Sequence, residues 1–486
     1  MTTAPTDTPP AAPQPTADMW AAPTRFAGIA GVAGLALYGI GAALYAGSLD
    51  PAHAEEYPGL VRQLLMSWLA GWTFWLCLPM GALALLMIHY LVKTSWGLLL
   101  RRPLEAASRT LPLLAVLFVP VVIGAFLHDG QSPYWWSDTH HSGEAHDNDV
   151  KAKQEAAAKA AAKEAATGPA PTDRITLKWE ERMAAAEGQV HKAHAHEAEA
   201  RRKGTFSFLS APSMVGLFVV MFAIWWAMIA YINKQGAVSD AVIGQGTPEE
   251  QWVKVDGARE ALNKFSGPGL IIFALTTTAA STQWTMSLEA GWASTMFPVI
   301  YAVNQFLVAF AFCLVVFLSV SHREPFKSSL RPKFQLDMGS LMLAFTLFWS
   351  YTSFSQMMLI WIGNLPEEIP FYLKRSSRGW WAVSAGLIVF HFAVPFLLLL
   401  FRDIKLHPYR LRAMACYILV VCAVDVVWWV SPTYDHASPT FVLMDVGAVV
   451  GIGGVWGLVF LSILKKRPLL PVNELYYLPE GHSEHH

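Results

Sequence analysis

Charge is scarce in this chain of 486 residues: charged side chains make up 15% of it, and the net charge at neutral pH is −1. There is no basic excess to meet a phosphate backbone, so nucleic acid is excluded as a partner. Cysteine is scarce too. Cys77, Cys313, Cys416 and Cys422 are the only four, and none stands in a CxxC or CxxCH spacing. That argues against iron–sulfur ligation, covalent haem attachment and structural zinc on this chain. All four fall in apolar stretches, where cysteine serves as a small hydrophobe. A cleavable signal peptide is also lacking. The first 24 residues are rich in Pro, Ala and Thr and read as a disordered tail, and the first apolar run, from Phe26 to about Ser48, is too long for a signal core.

Apolar residues are what the chain has in abundance. They make up 54% of it, with 20 Trp and 27 Phe, and the mean hydropathy is +0.36. Ten apolar runs are long enough to cross a bilayer as helices: about 26–48, 63–91, 110–127, 206–231, 267–288, 293–320, 340–362, 380–402, 411–430 and 441–464. A barrel strand would need only about ten alternating residues, so the fold class is an all-α integral membrane protein with ten transmembrane helices. The organisation follows: a cytoplasmic tail over 1–25, spans one to three over 26–127, a charged insert over 128–205, spans four to ten over 206–464, and a second cytoplasmic tail over 465–486.

Lys and Arg set the orientation. They crowd the loops of one parity (Arg101, Arg102, Lys234, Arg331, Arg402 and Lys465 among them), whereas the short loops of the other hold Arg62, Lys374, Arg375 and Arg378. Both termini are therefore expected in the cytoplasm and the 128–205 insert outside. That insert carries the strong helix former KAKQEAAAKAAAKEAA (151–166) and the histidines His140, His141, His146, His191, His194 and His196. The insert reads as a solvated helical hairpin, with a docking surface as the alternative, and its histidines read as solvated, with weak metal capture from the 191-to-194 spacing as the alternative. Two spans are crowded with glycine, Gly28 to Gly47 and Gly447 to Gly457. They read as close-packing helix faces rather than nucleotide loops, because no strand precedes them.

Three ionisable side chains, His391, Asp425 and Asp445, stand well inside the apolar runs, where charge is expensive and is kept for use. Counting from the span ends predicts Asp425 and Asp445 at the same depth on adjacent helices, able to share a proton. Glu289, Gln305, Tyr351 and Gln356 reach the same outer third. Together these seven residues form the expected proton path. No metal site is expected.

Two segments carry a resemblance: QWTMSLEAGWASTMF (283–297) and DMGSLMLAFTLFWSYTSFSQMMLIWIGNLPEEIPFYLKR (337–375). They resemble the ActF-type membrane subunits of bacterial alternative complex III, which are similar to the polysulfide-reductase membrane-anchor (NrfD/PsrC-like) family. The resemblance covers about 26–464. It implies two four-helix bundles plus two flanking helices, within a complex that oxidises quinol and passes electrons to cytochrome c or another acceptor in a respiratory chain. It implies a chain that holds no redox cofactor and is not catalytic alone. The implied partners are a sister NrfD-like membrane subunit, a periplasmic iron–sulfur protein, multihaem and monohaem c cytochromes, and a terminal oxidase. The complex would thus hold haem c and iron–sulfur clusters. Gln283 stands where the family carries an acid, so a proton role there passes to Glu289 or Asp425. Two other functions stay open. One is a quinone site on this chain itself, with Gln283, Trp284, Phe354 and Trp361 around the head group. The other is a secondary transporter with helices broken at proline.

Overall fold

A computed structural model describes residues 17–48, 59–92, 95–127, 131–137, 208–242, 245–289, 292–324, 326–365, 368–376, 379–433 and 439–469. Both tails beyond these limits and most of the charged insert, including the six histidines named above, lie outside the described residues. Within them the structure is helical throughout, with no strand.

The helices are α1 (Ala21–Ser48), α2 (Leu60–Val92), α3 (Ser95–Ser108), α4 (Leu111–Gly124), α5 (Ala211–Ala241), α6 (Pro248–Trp284), α7 (Phe297–Val320), α8 (Pro332–Gly363), α9 (Ile369–Arg375), α10 (Trp380–Leu400), α11 (Pro408–Val430) and α12 (Pro439–Leu464). Proline opens many of them, where its missing N–H costs nothing. Thr247 and Glu250 close a reciprocal capping box at the start of α6. Asn364 ends α8 in the left-handed conformation, with φ of 49°.

Among the described residues, seven helices are long and apolar enough to cross a membrane, or eight if α3 and α4, bent by 40° to each other, make one span. The chain is a membrane protein with transmembrane helices. The expected run at 110–127 is the short helix α4. Those at 267–288 and 340–362 fall mainly within longer helices, α6 and α8, and the threonines, serines and glutamines inside these runs lower their hydropathy.

Two helices form the centre. α2 and α7 are apolar on every side and buried along most of their length. They meet at Gly81, where any β-carbon would run into the Gln305 carbonyl oxygen. α4, α5 and α6 gather on the α2 side, and α8, α10 and α11 on the α7 side. α1 lies along α12 as an outlying pair that reaches the rest through α2. The glycines expected as packing faces hold this pair: Gly34 touches the Gly451 backbone and Gly31 the Gly454 backbone.

Two sequence expectations need correction. Arg101 and Arg102 lie in a buried helix, α3, and not in a solvated loop. The start of the insert, 131–137, packs into the core. There the Tyr134 hydroxyl donates to the Trp284 carbonyl at 3.1 Å and the Trp136 indole to Ser287 at 3.3 Å.

Candidate functional site

Asp425 sits on α11 one turn before its end and is 1% exposed. Its Oδ2 accepts from the Trp349 indole of α8 at 2.9 Å, and Trp429, one turn further along α11, lies beside the same carboxylate. His391 enters from α10. Its ring stacks on Trp349, and its Nδ1 stands 4.0 Å from Asp425 Oδ2. His391 Nε2 is 3.5 Å from the Cys422 thiol, while Nδ1 finds no hydrogen-bond partner among the described residues. The backbone around His391 is a π-helix over Leu387–Ala393. Such a widened turn is common at functional positions, and Tyr417 takes up the Phe390 carbonyl there at 2.7 Å. A carboxylate held by an indole donor in an apolar interior, with an imidazole nitrogen facing it, is equipped to take up and pass on a proton.

Asp445 occupies a different site. Its Oδ2 accepts from Ser431 at 2.8 Å, Ser67 of α2 lies near the carboxylate, and Oδ1 has no hydrogen-bond partner among the described residues. Ser431 lies six positions beyond Asp425, about 9 Å further along the helix axis. α2 packs against both α11 and α12, while those two make little contact with each other. The expected side-by-side pair at equal depth is therefore corrected to two separate buried acids. Chain order placed α12 next to α11, but α2 inserts between them.

The other expected residues divide. Gln356 is buried, accepting from Ser294 at 3.1 Å and donating to the Tyr372 hydroxyl at 3.3 Å. It lines a cleft of about 440 Å³ between α6, α7 and α8, along with Thr278, Thr282, Ser294 and Glu368. Gln305 is buried on α7 beside Asn304, and their side-chain oxygens have no protein partner. Tyr351, at 66% exposed, points out of the helix assembly and joins none of this. The four residues expected around a quinone do not converge. Gln283 is tied to the start of α5 through Phe208 and Ser213, and Trp284 is locked among Trp72, Phe118 and Trp225. Phe354 and Trp361 face outward, at 56% and 79% exposed.

The chain matches no protein-family model and no curated protein.

Two charge clusters were not foreseen as clusters, although Glu289 was expected on the proton path. At one end, Glu289 pairs with Lys374 at 2.5 Å and lies 4.0 Å from Arg375. The buried Arg375 guanidinium donates to the Trp428, Trp429 and Phe371 carbonyls at 3.0, 2.6 and 2.8 Å and stacks on the Phe371 ring. It thus caps the helix that carries Asp425. Burial lowers its pKa to about 10, against the pull of Glu289, so it stays charged at neutral pH. Burial likewise pushes Tyr372 up to about 12. The signal was a Lys-Arg pair following the acids Glu367 and Glu368, read only as loop charge.

At the opposite end, Arg101 and Arg102 each bind Glu105 at 2.7 Å, Arg102 also pairs with Asp240, and Arg467 approaches Glu105 at 3.5 Å. The RRPLE sequence carried this as a helical i, i+3 and i+4 spacing. Among the described residues no three His, Cys, Asp or Glu side chains converge to hold a metal ion. Cys77, Cys313 and Cys422 are buried as expected, but Cys416 is exposed on α11.

Proposed function

We propose that this chain is a ten-span inner-membrane subunit of a quinol:electron-acceptor oxidoreductase complex, and that it conducts protons through its interior at Asp425 while scaffolding the redox subunits. The observation that carries the reading is the Asp425–Trp349–His391 arrangement. It is a fully buried carboxylate whose imidazole neighbour has a free nitrogen, and it sits where a purely structural protein gains nothing from an acid. The 283–297 and 337–375 motifs supply the complex: a sister membrane subunit, an external iron–sulfur protein and haem c cytochromes hold the redox groups, and this chain holds none. The helices α2 with α4 to α6, and α7 with α8, α10 and α11, flanked by α1 and α12, support a reading as two groups of four plus two.

The test is Asp425→Asn in the assembled complex reconstituted into vesicles. The reading expects proton release per quinol oxidised to fall while the complex stays intact. Unchanged proton release, or purification without iron–sulfur and haem partners in mild detergent, overturns it. Because Asp445 is a separate site, Asp445→Asn is expected to act independently, and the double variant to show the sum of the two single effects.

A second reading is favoured by the cleft beside Gln356. Its volume and its mixture of threonine, serine and amide groups with apolar walls suit a quinone head group entering from the lipid. Gln356→Leu then weakens quinol affinity without altering proton release, the reverse of Asp425→Asn.

A further inference from the structure

The buried charge cluster at the Glu105 end carries, among the described residues, more guanidinium than carboxylate. Among the described residues, four guanidiniums, Arg101, Arg102, Arg109 and Arg467, surround two carboxylates, Glu105 and Asp240. Both oxygens of Glu105 are already taken, Oε1 by Arg101 and Oε2 by Arg102 and Arg467. Arg101 is further committed to the Gly236 carbonyl at 2.9 Å. Arg109 makes no side-chain hydrogen bond among the described residues. It stands close enough to Arg467 for the two charges to repel. Both are half-buried, and they line one notch between α3 and α12.

Its position decides what fills it. Arg109 lies in the bend between α3 and α4, and Arg467 lies three residues past the end of the apolar run Val442–Leu464. Both therefore stand at the rim of the apolar layer, where lipid head groups lie. Val116, Val119 and Ile123, exposed on α4 from two turns beyond Arg109, begin the lipid-facing surface. The notch itself is small, about 10 Å³, room for a single oxygen atom and not for a whole solute. A phosphate group capping the notch places one oxygen between two guanidiniums, a geometry in which arginine is favoured over lysine.

We infer that Arg109 and Arg467 form a binding site for the phosphodiester of an anionic phospholipid, whose acyl chains run along α4. The site relieves the excess positive charge of the cluster and ties the α3–α4 bend to the end of α12. It rests on the membrane reading alone and is independent of any role in quinol oxidation.

The test is native mass spectrometry of the delipidated full-length protein with dioleoyl phosphatidylglycerol added back. Each arginine near an anionic head group contributes about 1 kcal/mol, so Arg109→Gln is expected to weaken binding about fivefold and the Arg109→Gln/Arg467→Gln pair about thirtyfold. Arg109→Gln removes no hydrogen bond of the cluster, so it keeps the test available should the pair fail to fold. Arg323→Gln, an exposed arginine at the same end, is expected to leave binding unchanged. Dioleoyl phosphatidylcholine is expected not to compete, and inorganic phosphate not to displace the lipid. Equal binding by Arg109→Gln, an equal loss in Arg323→Gln, competition by phosphatidylcholine, or displacement by inorganic phosphate overturns the proposal.

Discussion

The Trp349 indole lies against the His391 imidazole, with ring centroids 3.7 Å apart and planes inclined by 26°. The same indole donates to Asp425 at 2.9 Å. One side chain thus fixes the orientation of the histidine and stabilises the buried acid. Trp349→Phe keeps a ring over His391 and deletes the donor. Removing one partner of a buried polar group costs about 1–3 kcal/mol, so the unfolding midpoint in detergent is expected to drop accordingly. Trp349→Leu also loses the stack and is expected to fall further. A Trp349→Phe protein as stable as the parent would show that this hydrogen bond contributes nothing.

Arg375 is the second such pivot. Taking it away strands Glu289 beside Lys374 alone and leaves three carbonyls without their donor. Breaking a buried ion pair by removing one partner costs about 3–5 kcal/mol, and Arg375→Ala is expected in that range by chemical unfolding. Arg375→Lys is expected to recover little. An ammonium cannot span carbonyls on α9 and α11 or lie flat on Phe371 as the planar guanidinium does. Full rescue by lysine would mean that only the charge matters.

The α1–α12 contact makes a position-specific prediction. A β-carbon at Gly454 would collide with the Gly31 backbone nitrogen, and one at Gly34 would collide with that of Gly451. Backbone cannot step aside, so Gly454→Ala and Gly34→Ala are expected to separate the helices and lose at least about 1–3 kcal/mol. At Gly39, on the same helix, nothing lies within 4 Å. Gly39→Ala is expected to stabilise by about 0.5–1 kcal/mol through helix propensity. Thermal unfolding of the three variants side by side reads the contrast; three equal shifts would refute the close approach.

Asp240 offers a pH signature. Burial raises its carboxyl above the ordinary value of 3.8, with Arg102 opposing. The native state thus holds this proton more tightly than the unfolded chain does. The resulting stabilisation is complete below the ordinary carboxylate range and is lost as pH rises through the native value. Asp240→Asn, which keeps an oxygen for Arg102, removes that dependence. Its stability relative to the parent is therefore expected to grow with pH from about 4 upward. A constant difference across the range would place the native Asp240 at its ordinary value.

The helices themselves were legible in the sequence, because an uninterrupted apolar run of bilayer length has few alternatives. Their extents were less so. α6 starts well before its apolar half, and the signal was the TPEE capping box at 247–250, not hydropathy. Depth counted from a span end correctly put Asp425 and Asp445 inside, yet it could not tell which helices are neighbours. That is decided by α2, whose Ser67 side reaches Asp445. Glu105 was hidden because RRPLE reads as a polar loop when charge is summed along the chain. In space, Arg101 and Arg102 close on Glu105, and the paired groups are buried. Tyr351, Phe354 and Trp361 looked like site residues by type. Helical phase turns them outward while Gln356, on the same helix, turns in.

The π-helix at Leu387–Ala393 carries a residue more than a regular coil of the same reach. Deleting one residue there would tighten the turn to a regular one and leave the flanking turns of α10 in phase, so the change of facing falls on the residues of the widened turn, His391 among them. The imidazole at 391 would leave the indole, while the helix would still cross the bilayer. The length of this span is thus set by the aim of one ring, and a lineage that lost a single codon here would keep its fold and lose its partner for Asp425.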